Sequence, residues 1–397
     1  MSALETSRIQ ALARSEKIHR PATPVRIVPV HTRTLMRTFV ELPWRIYDGD
    51  PNWIPPVKNE MLKQTDPRKN VFFRYAVAEH FIALSARGEP LGRIAACIHP
   101  MEGGRPATEK GAFGFFEAVP DADVARSLLS AAETWLRERG MKWIAGPYNY
   151  CVNEEFGLLV SGFDAAPAFC STYNPPYYRD LIEDCGYAIQ SRYATFGITR
   201  KDGVKIAPAI QRRGQDVINR LGLRVRPIDM KAFEEEIETL RLLFNEAFAS
   251  HPDIVPVPRD LFYRDFAWAR SYIDPRWVRL VEHDGKPVAF SFIMPDVNEI
   301  IRWLNGNLRL WHYPFLPGRI RGVRRAIVLM IGALPAAATW GVGRVLAKEI
   351  VEQALACGFE ELQTTWIREE NWQSHALVHC PPFRELKRYV ILGKALV

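Results

Sequence analysis

The residues Gly341-Val342-Gly343-Arg344, with the run Val345-Leu346-Ala347-Lys348-Glu349-Ile350-Val351 behind them, place two glycines directly before a helix with an apolar stripe. The apolar residues 326–331 precede this turn and predict a buried strand. Backbone without side chains can bring its N–H groups close to a phosphate, and a helix N-terminus adds partial positive charge. A strand, a glycine turn and a helix therefore predict a pyrophosphate cradle, although the same pattern also begins helices that bind nothing.

The elements that follow this turn extend the pattern. The helix is expected to end near Gly358, and residues 359–367 have the composition of a strand. Asn371 and Ser374 stand at the start of another helix, and residues 386–392 predict a last strand.

This order of elements resembles the GCN5-related N-acetyltransferase superfamily, whose members use an acyl-coenzyme A donor. The resemblance implies that Gly341, Val342, Gly343 and Arg344 hold the pyrophosphate of coenzyme A. It also implies that Asn371 lies near the pantetheine arm, and that acyl-coenzyme A is a co-substrate while no prosthetic group is needed.

Two positions depart from the superfamily pattern. Ala338 stands where the glycine loop usually opens with Gln or Arg, and Val378 replaces a Tyr that protonates the leaving thiolate. His375 and His379 are nearby substitutes, but a histidine on a helix is more often a surface or core residue. The glycines of the donor site are therefore present, whereas the usual general acid is missing.

Length and composition predict a folded protein with two domains. The chain has 397 residues, of which 48% are apolar and 24% charged. Six cysteines form no C-x-x-C pair, which argues against a metal site or a disulfide framework. No run of eighteen apolar residues exists, and residues 1–25 lack the apolar centre of a signal peptide. We therefore expect a flexible tail over 1–25 and a cytoplasmic location.

The first half of the chain repeats the plan of the second. Its predicted elements are strands at 81–86, 90–98, 114–117, 141–145 and 192–198 and helices at 124–139 and 177–185. The predicted fold is α/β (α+β), with two tandem acyltransferase-like domains over 26–200 and 222–397 and a linker helix over 201–221. Each domain is expected to hold a mixed, mostly antiparallel sheet flanked by helices. Residues 118–123 replace the glycine loop in the first copy and include two acids, so we expect the donor in the second copy.

Polar residues crowd the first copy directly after a predicted strand, where α/β folds tend to place ligands. An amine must lose its proton before it attacks a thioester, and Glu154 or Glu155 is a suitable base. Tyr173, Tyr177 or Tyr178 would orient the amine or protonate the thiolate, and Asn153 belongs to the same group of candidates. The alternative is a structural loop with capping amides and packed phenols.

Residues 303–325 mix aromatic and basic side chains without an intervening acid. Such a mixture suits the headgroup region of an anionic leaflet, where each basic residue contributes on the order of 1 kcal/mol. The arginines would also suit the phosphates of coenzyme A, and a solvated basic loop is the third interpretation. A net charge of +7 agrees with each of these partners, while no nucleic-acid recognition module is present. The aromatic and aliphatic residues are Trp303, Trp311, Tyr313, Phe315 and Leu316, and the basic ones are Arg309, Arg319, Arg321, Arg324 and Arg325.

Short N-terminal motifs add a second resemblance, to a group of bacterial acyltransferase-like proteins that includes the bacterial ceramide synthases. The motifs lie at residues 42–47, 50–56, 92–96, 114–117 and 146–147. Members of that group join an acyl chain from a thioester to the amine of a sphingoid base.

We therefore predict an N-acyltransferase that acylates a long-chain amine such as sphinganine or 3-ketosphinganine. Backbone N–H groups of a strand in the second domain would stabilise the oxyanion. It would work in the cytoplasm, with peripheral contact at the inner face of the membrane. Two alternatives remain, an acetyltransferase for a small polar amine and a catalytically inactive protein that binds membranes.

Overall fold

The computed structural model describes residues 25–102, 105–151, 154–251, 254–267, 270, 273–378 and 382–396. Of the predicted tail over 1–25, only Val25 lies within this range, and the candidate Asn153 lies outside it. Within the described ranges, no helix combines the length and the apolar character needed to cross a bilayer.

Strands and helices alternate in both halves of the chain. The strands of the first half are β1 (Arg26–Pro29), β2 (Val77–Leu84), β3 (Pro90–Ile98), β4 (Met101–Glu102), β5 (Arg105–Pro106), β6 (Lys110–Ala118), β7 (Trp143–Gly146), β8 (Leu158–Ser161) and β9 (Ala188–Thr199). Its helices are α1 (Arg33–Glu41), α2 (Pro43–Ile46), α3 (Lys58–Gln64), α4 (Ala122–Arg137) and α5 (Tyr178–Glu183).

The second half follows a long helix. Its strands are β10 (Arg224–Pro227), β11 (Val278–His283), β12 (Lys286–Pro295), β13 (Arg325–Ala333), β14 (Glu361–Thr364), β15 (Ile367–Arg368) and β16 (Arg384–Ala395). The helices from the linker onward are α6 (Arg200–Leu221), α7 (Phe233–Ala247), α8 (Arg259–Ala267), α9 (Asn298–Leu304), α10 (Leu316–Gly322), α11 (Pro335–Thr339), α12 (Val342–Ala356) and α13 (Trp372–Val378). Single 3₁₀ turns lie at Val71–Arg74, Met230–Ala232, Pro275–Trp277 and Leu310–Phe315.

Fourteen of the described strands form one sheet with the order β1-β2-β3-β6-β7-β16-β9-β14-β13-β12-β11-β10, to which β8 and β15 add at the centre. Neighbours are antiparallel except for β6 with β7 and β13 with β14. A parallel pair needs a crossover connection, and α4 and α12 supply one in each half. This is the mixed, mostly antiparallel sheet flanked by helices that the sequence predicts.

The last strand of each half lies beside strands of the other half. β16 pairs with β7 and β8 on one edge and with β9 on the other, while β9 pairs in turn with β14 and β15. The sheet is therefore continuous across the two halves. The predicted linker helix over 201–221 is α6, and the division into units 26–200 and 222–397 stays a prediction.

The two halves also share one apolar core. Phe39, Phe72 and Tyr150 of the first half belong to the same buried cluster as Phe233 and Phe290 of the second. Helices α1 and α3 pack on one part of this cluster, and α7 and α8 cover the other part. The shared core places groups from both halves next to one another.

One helix near the glycine turn was not predicted. Pro335 begins α11, which lies between β13 and the turn, so that the turn does not follow the strand directly. Proline suits the first helical position because its missing N–H has no partner there. The apolar run that reads as one strand is thus a strand followed by a short helix.

Candidate functional site

Strands β13 and β14 separate halfway along β13. They pair only from Arg325 with Glu361 to Val328 with Thr364, after which β14 ends and β13 continues to Ala333. The side chain of Thr365 closes the junction, because its Oγ1 donates to the Val328 carbonyl at 3.1 Å. Beyond this point no described strand pairs with the edge of β13 that faced β14, and we call the space along this unpaired edge the gap.

A β-bulge in β13 lies at the same level. Phe292 of β12 pairs with Met330 and Ile293 pairs with Val328, which leaves Leu329 as the extra residue. A bulge removes the backbone groups of its extra residue from the regular ladder. The bulge therefore leaves the backbone of Leu329 outside the regular pairing with β12, and the predicted oxyanion site on a strand of the second half stays a prediction.

The glycine turn lies beyond the other end of β13 and caps α12. Gly341 has a φ of +87°, a left-handed conformation that glycine adopts without strain. Val342 is fully buried, so its part in a phosphate site is confined to its backbone. A Cβ atom placed on Gly343 would meet no atom within 4 Å, and Arg344 is exposed beside it. Of the first amides of α12, that of Arg344 donates to the Gly341 carbonyl at 3.0 Å, so the amides of Val342 and Gly343 are the ones that helix geometry leaves for an anion.

Helix α6 borders the turn from the side. The guanidinium of Arg220 donates to the carbonyl of Trp340 at 3.0 Å, and Val217 lies 3.9 Å from the Cβ position of Gly341. Arg220 thus adds a positive charge next to the predicted cradle. Sequence analysis missed it because α6 is far from the turn along the chain.

The later candidates of the second half have structural partners. Asn371 begins α13, and its Oδ1 accepts a hydrogen bond from the Ser374 amide at 3.1 Å. Val378 is buried in a small apolar cluster with Phe196, so the position of the usual tyrosine belongs to the core. His375 contacts the carbonyl of Arg368 through Nε2 at 3.0 Å, and His379 lies outside the described residues.

The equivalent gap of the first half is filled by the chain itself. The Tyr148 amide donates to the carbonyl of Phe113 at 2.7 Å, and a Cβ atom on Gly114 would lie 1.7 Å from the Tyr148 carbonyl oxygen. The Asn149 side chain accepts from the amide of Phe115 at 2.8 Å. The peptide of residues 148–149 therefore runs against β6 where a donor would have to lie.

The helix N-terminus of the first half is occupied as well. Asp121 caps α4, and its carboxylate accepts from the amides of Asp123 and Val124. These are the amides that a pyrophosphate would need, so the carboxylate competes with any anion there.

Glu155 lies in a recess beside this filled gap. Its carboxylate reaches solvent and accepts from Asn149 Nδ2 at 3.2 Å. The surrounding protein desolvates the carboxyl and raises its pKa, while the hydrogen bond from Asn149 opposes the rise. A carboxylate that is accessible and yet surrounded by protein is suited to act as a general base.

Phe156 connects this recess to the second half. Its ring centroid lies 4.3 Å from that of Trp366, which directly follows the Thr365 that closes the strand junction. Phe156 therefore packs against the second half, and Glu155 precedes it in the chain.

Glu154 has a different environment. Its carboxylate forms an ion pair with Arg264 of α8 at 3.4 Å and accepts a hydrogen bond from Gln64 of α3. The side chain is 13% exposed and joins helices from the two halves. These contacts favour a structural role, and the predicted function of Glu154 as a base stays untested.

The tyrosine candidates differ in burial. Tyr178 is fully buried, donates to Glu117 at 2.7 Å and accepts from the Ala118 amide at 3.0 Å. Tyr177 donates to the Ala118 carbonyl at 2.8 Å. Tyr173 is only partly buried and donates to Asp50 at 2.9 Å, and desolvation with this hydrogen bond raises its pKa to about 12. Tyr173 and Tyr177 are both partly exposed, so these two of the three have an exposure that suits contact with an amine.

Comparison with known proteins identifies the relatives of the chain. No family model matches it. The chain is 31% identical over 382 residues to the bacterial ceramide synthase of Caulobacter vibrioides (strain NA1000 / CB15N), covering 93% of this chain and 97% of that protein. It is 29% identical over 371 residues to protein YghO of Escherichia coli (strain K12), covering 91% and 93%.

Solved structures agree on the fold. A tandem GNAT protein from the clavulanic acid biosynthesis pathway superposes with a TM-score of 0.54 at 13% identity. The alignment covers 94% of this chain and 99% of that protein. The predicted tandem acyltransferase fold is therefore confirmed.

Proposed function

The chain belongs to the bacterial ceramide synthase family and is an N-acyltransferase, and we propose that it joins a long acyl chain from coenzyme A to the amine of a sphingoid base. Sphinganine and 3-ketosphinganine are the acceptors that we propose. The observation that supports the proposal is the second half itself, where β13 carries a bulge at Leu329 beyond its pairing with β14 and the Cβ position of Gly343 has no atom within 4 Å.

The donor would bind along this gap. Gly341, Val342, Gly343 and Arg344 would hold the pyrophosphate, and Asn371 would lie beside the pantetheine arm. Burial of Val342 and exposure of Arg344 fit a cradle made of backbone with one free basic side chain. The filled gap of the first half supports a single donor site in each chain.

The reaction begins when Glu155, directly or through a water molecule, takes a proton from the acceptor amine. The amine nitrogen then attacks the thioester carbonyl, whose oxygen becomes an oxyanion near the Leu329 bulge. The nitrogen loses its second proton to water, and collapse of this intermediate forms the neutral amide and expels the thiolate of coenzyme A, which is protonated from solvent or from Tyr173. Backbone N–H groups at such a position stabilise the transition state because they are oriented before the charge develops.

Incubation with palmitoyl-coenzyme A and either sphingoid base tests the proposal. We expect the amide in a mass spectrum and one free thiol for each amide formed. Acetylation of a small polar amine, with no product from the sphingoid bases, would instead support the acetyltransferase alternative.

An inactive protein is the alternative that Val378 favours, since a core residue stands where the usual acid would be. It predicts no turnover with any amine. A thermal shift measurement with coenzyme A shows whether the protein binds the donor. A ligand at 100 times its dissociation constant stabilises the folded protein by about 2.7 kcal/mol.

A further inference from the structure

The 3₁₀ turn Leu310–Phe315 presents large apolar side chains to solvent. Leu310 is 86% exposed, Trp311 59%, Tyr313 49% and Phe315 62%. Side chains of this size are seldom exposed together on a soluble surface, and a group of them marks a site of interaction. We call this turn, together with helices α9 and α10 on either side of it, the aromatic insertion.

Unneutralised arginines surround the exposed turn. Within the described part of the chain, no ion pair joins a carboxylate to Arg302, Arg309, Arg319 or Arg321. Arg309 lies over the ring of Trp311, with 5.0 Å from guanidinium carbon to ring centroid. This combination of apolar rings and free guanidinium groups is complementary to anionic headgroups above an acyl layer.

The base of the aromatic insertion is anchored to the protein. Arg325 and the buried Asp296 form an ion pair of 2.5 Å where the insertion leaves β12 and enters β13. The Lys58 amide donates to the Gly306 carbonyl at 3.0 Å, which fixes the insertion to the first half. Arg319 lies 3.8 Å from the centroid of Trp303 and links α10 to α9. The exposed turn therefore projects from a supported base.

The insertion and the glycine turn lie at opposite ends of β13. The insertion precedes Arg325, the glycine turn follows Ala333, and the Leu329 bulge is midway between them. A donor whose pyrophosphate lies at Gly343 and whose thioester lies at Leu329 has its acyl chain directed toward the insertion.

We propose that the aromatic insertion docks on an anionic phospholipid bilayer, so that the long-chain amine enters the gap from the membrane while coenzyme A enters from water. The docking rests on the exposed side chains and the free arginines alone. The direction of amine entry also rests on the proposed function. The two parts therefore need separate measurements.

Sedimentation of the full chain with vesicles tests the docking. We expect binding to vesicles that contain phosphatidylglycerol and weak binding to vesicles of phosphatidylcholine alone. Replacement of the exposed Arg302 and Arg321 by Gln should weaken binding by about five-fold for each residue. The apolar variant Leu310→Ser with Trp311→Ser and Phe315→Ser should abolish sedimentation.

Matched controls use residues of the same type elsewhere on the surface. Leu242 is 54% exposed on α7, and Leu242→Ser should bind vesicles as the original protein does. Arg212 and Arg213 are exposed on α6, and their replacement by Gln should have little effect. Equal losses in the control and test variants would contradict a localised docking surface.

Turnover of a detergent-solubilised sphingoid base separates the two proposals. Normal turnover by a protein that binds no vesicles would overturn docking and leave the function intact. Vesicle binding without turnover under any condition would support docking and remove the function. If the protein is a dimer and the apolar variant is a monomer, the aromatic insertion binds a second copy of the chain, and the membrane proposal is overturned.

Discussion

The backbone amide of Phe115 donates a 2.8 Å hydrogen bond to Oδ1 of Asn149, so that the first half satisfies its own strand bulge. The register of β3 and β6 shifts next to Phe115, and this shift is the counterpart in the first half of the bulge in β13. In the second half, no side chain of a described residue accepts a hydrogen bond from the Leu329 amide. The same fold thus has one closed gap and one open gap.

Gly343→Ala should weaken coenzyme A binding without harming the fold. An added methyl group meets no protein atom within 4 Å, and alanine favours a helix over glycine by about 1 kcal/mol. It would occupy the space through which a phosphate approaches the backbone. We expect at least about a ten-fold rise in the dissociation constant, equal to about 1.4 kcal/mol, measured by titration calorimetry.

Gly203→Ala is the matched control, since Gly203 also lies in a helix with open space around its Cβ position. It should leave binding unchanged, and the original protein should bind one coenzyme A per chain. Two equivalents bound, or tight binding retained by Gly343→Ala, would place the donor elsewhere.

Glu155→Gln should lower kcat by about 10² to 10⁴ while the affinity for donor stays the same, as expected for loss of a general base. Glu154→Gln is the control because the adjacent carboxylate is engaged by Arg264. Steady-state release of coenzyme A thiol measures both variants. Equal activity of Glu155→Gln and the original protein would remove Glu155 from the mechanism.

The pH profile of kcat/KM gives a second test of Glu155. The base acts in its ionised form, so activity should fall as the pH drops through the pKa of this carboxyl. Desolvation raises that pKa above the usual 4.5, and the acidic limb should therefore lie above that value. The limb should disappear in Glu155→Gln.

The glycine turn and helix α12 were predictable from sequence because the determinants are local. Gly341 needs a positive φ, and the apolar spacing of residues 345–351 requires one buried face. The same holds for α4, predicted over 124–139 and observed over Ala122–Arg137. Local determinants of this kind do not depend on distant parts of the chain.

Contacts between distant parts of the chain determine the strand neighbours and the side-chain environments that the sequence did not predict. Apolar alternation identifies residues 386–392 as a strand, but it does not say that β7 and β9 are its neighbours. Glu154 and Glu155 are chemically alike in sequence, and their partners separate them, since Arg264 and Gln64 engage Glu154 while Asn149 donates to Glu155. Tyr178 likewise reads as a site residue in the sequence, and its hydrogen bond to the buried Glu117 comes from a distant part of the chain.

Tyr178→Phe should destabilise the protein and leave turnover of the folded fraction unchanged. The lost hydroxyl leaves a buried carboxylate oxygen of Glu117 and the Ala118 amide with fewer partners, which costs about 1–3 kcal/mol. Urea unfolding measures the loss. Tyr173→Phe, at a partly exposed position, should cost less than about 1 kcal/mol. A loss of kcat in Tyr178→Phe at full folding would restore its predicted catalytic role.

His80 should make the protein sensitive to acid. Burial lowers its pKa from 6.5 to about 4, so the unfolded chain binds more protons between these values. The stabilisation is complete above pH 6.5 and is lost as the pH falls toward 4. Between about pH 7 and about pH 5 the free energy of unfolding should fall by about 2 kcal/mol through this residue.

His80→Gln is the test variant, because glutamine can keep a hydrogen bond to Tyr150 and does not titrate. Urea unfolding should show a weaker pH dependence, with a remainder from His99, whose pKa burial also lowers to about 4. An unchanged pH dependence in His80→Gln would show that the buried imidazole is not the cause.

Separation of the two halves should abolish folding of the first. β16 fills the space between β7 and β9, and its residues Tyr389, Ile391 and Leu392 are almost fully buried. Each such side chain contributes about 1.5–3 kcal/mol, so their loss approaches the whole stability of an ordinary domain, about 5–15 kcal/mol. A fragment of residues 1–221 should therefore be insoluble, and coexpression with residues 222–397 should restore a soluble complex on size-exclusion chromatography. A monomeric fragment 1–221 with cooperative unfolding would instead establish residues 26–200 as an independent domain.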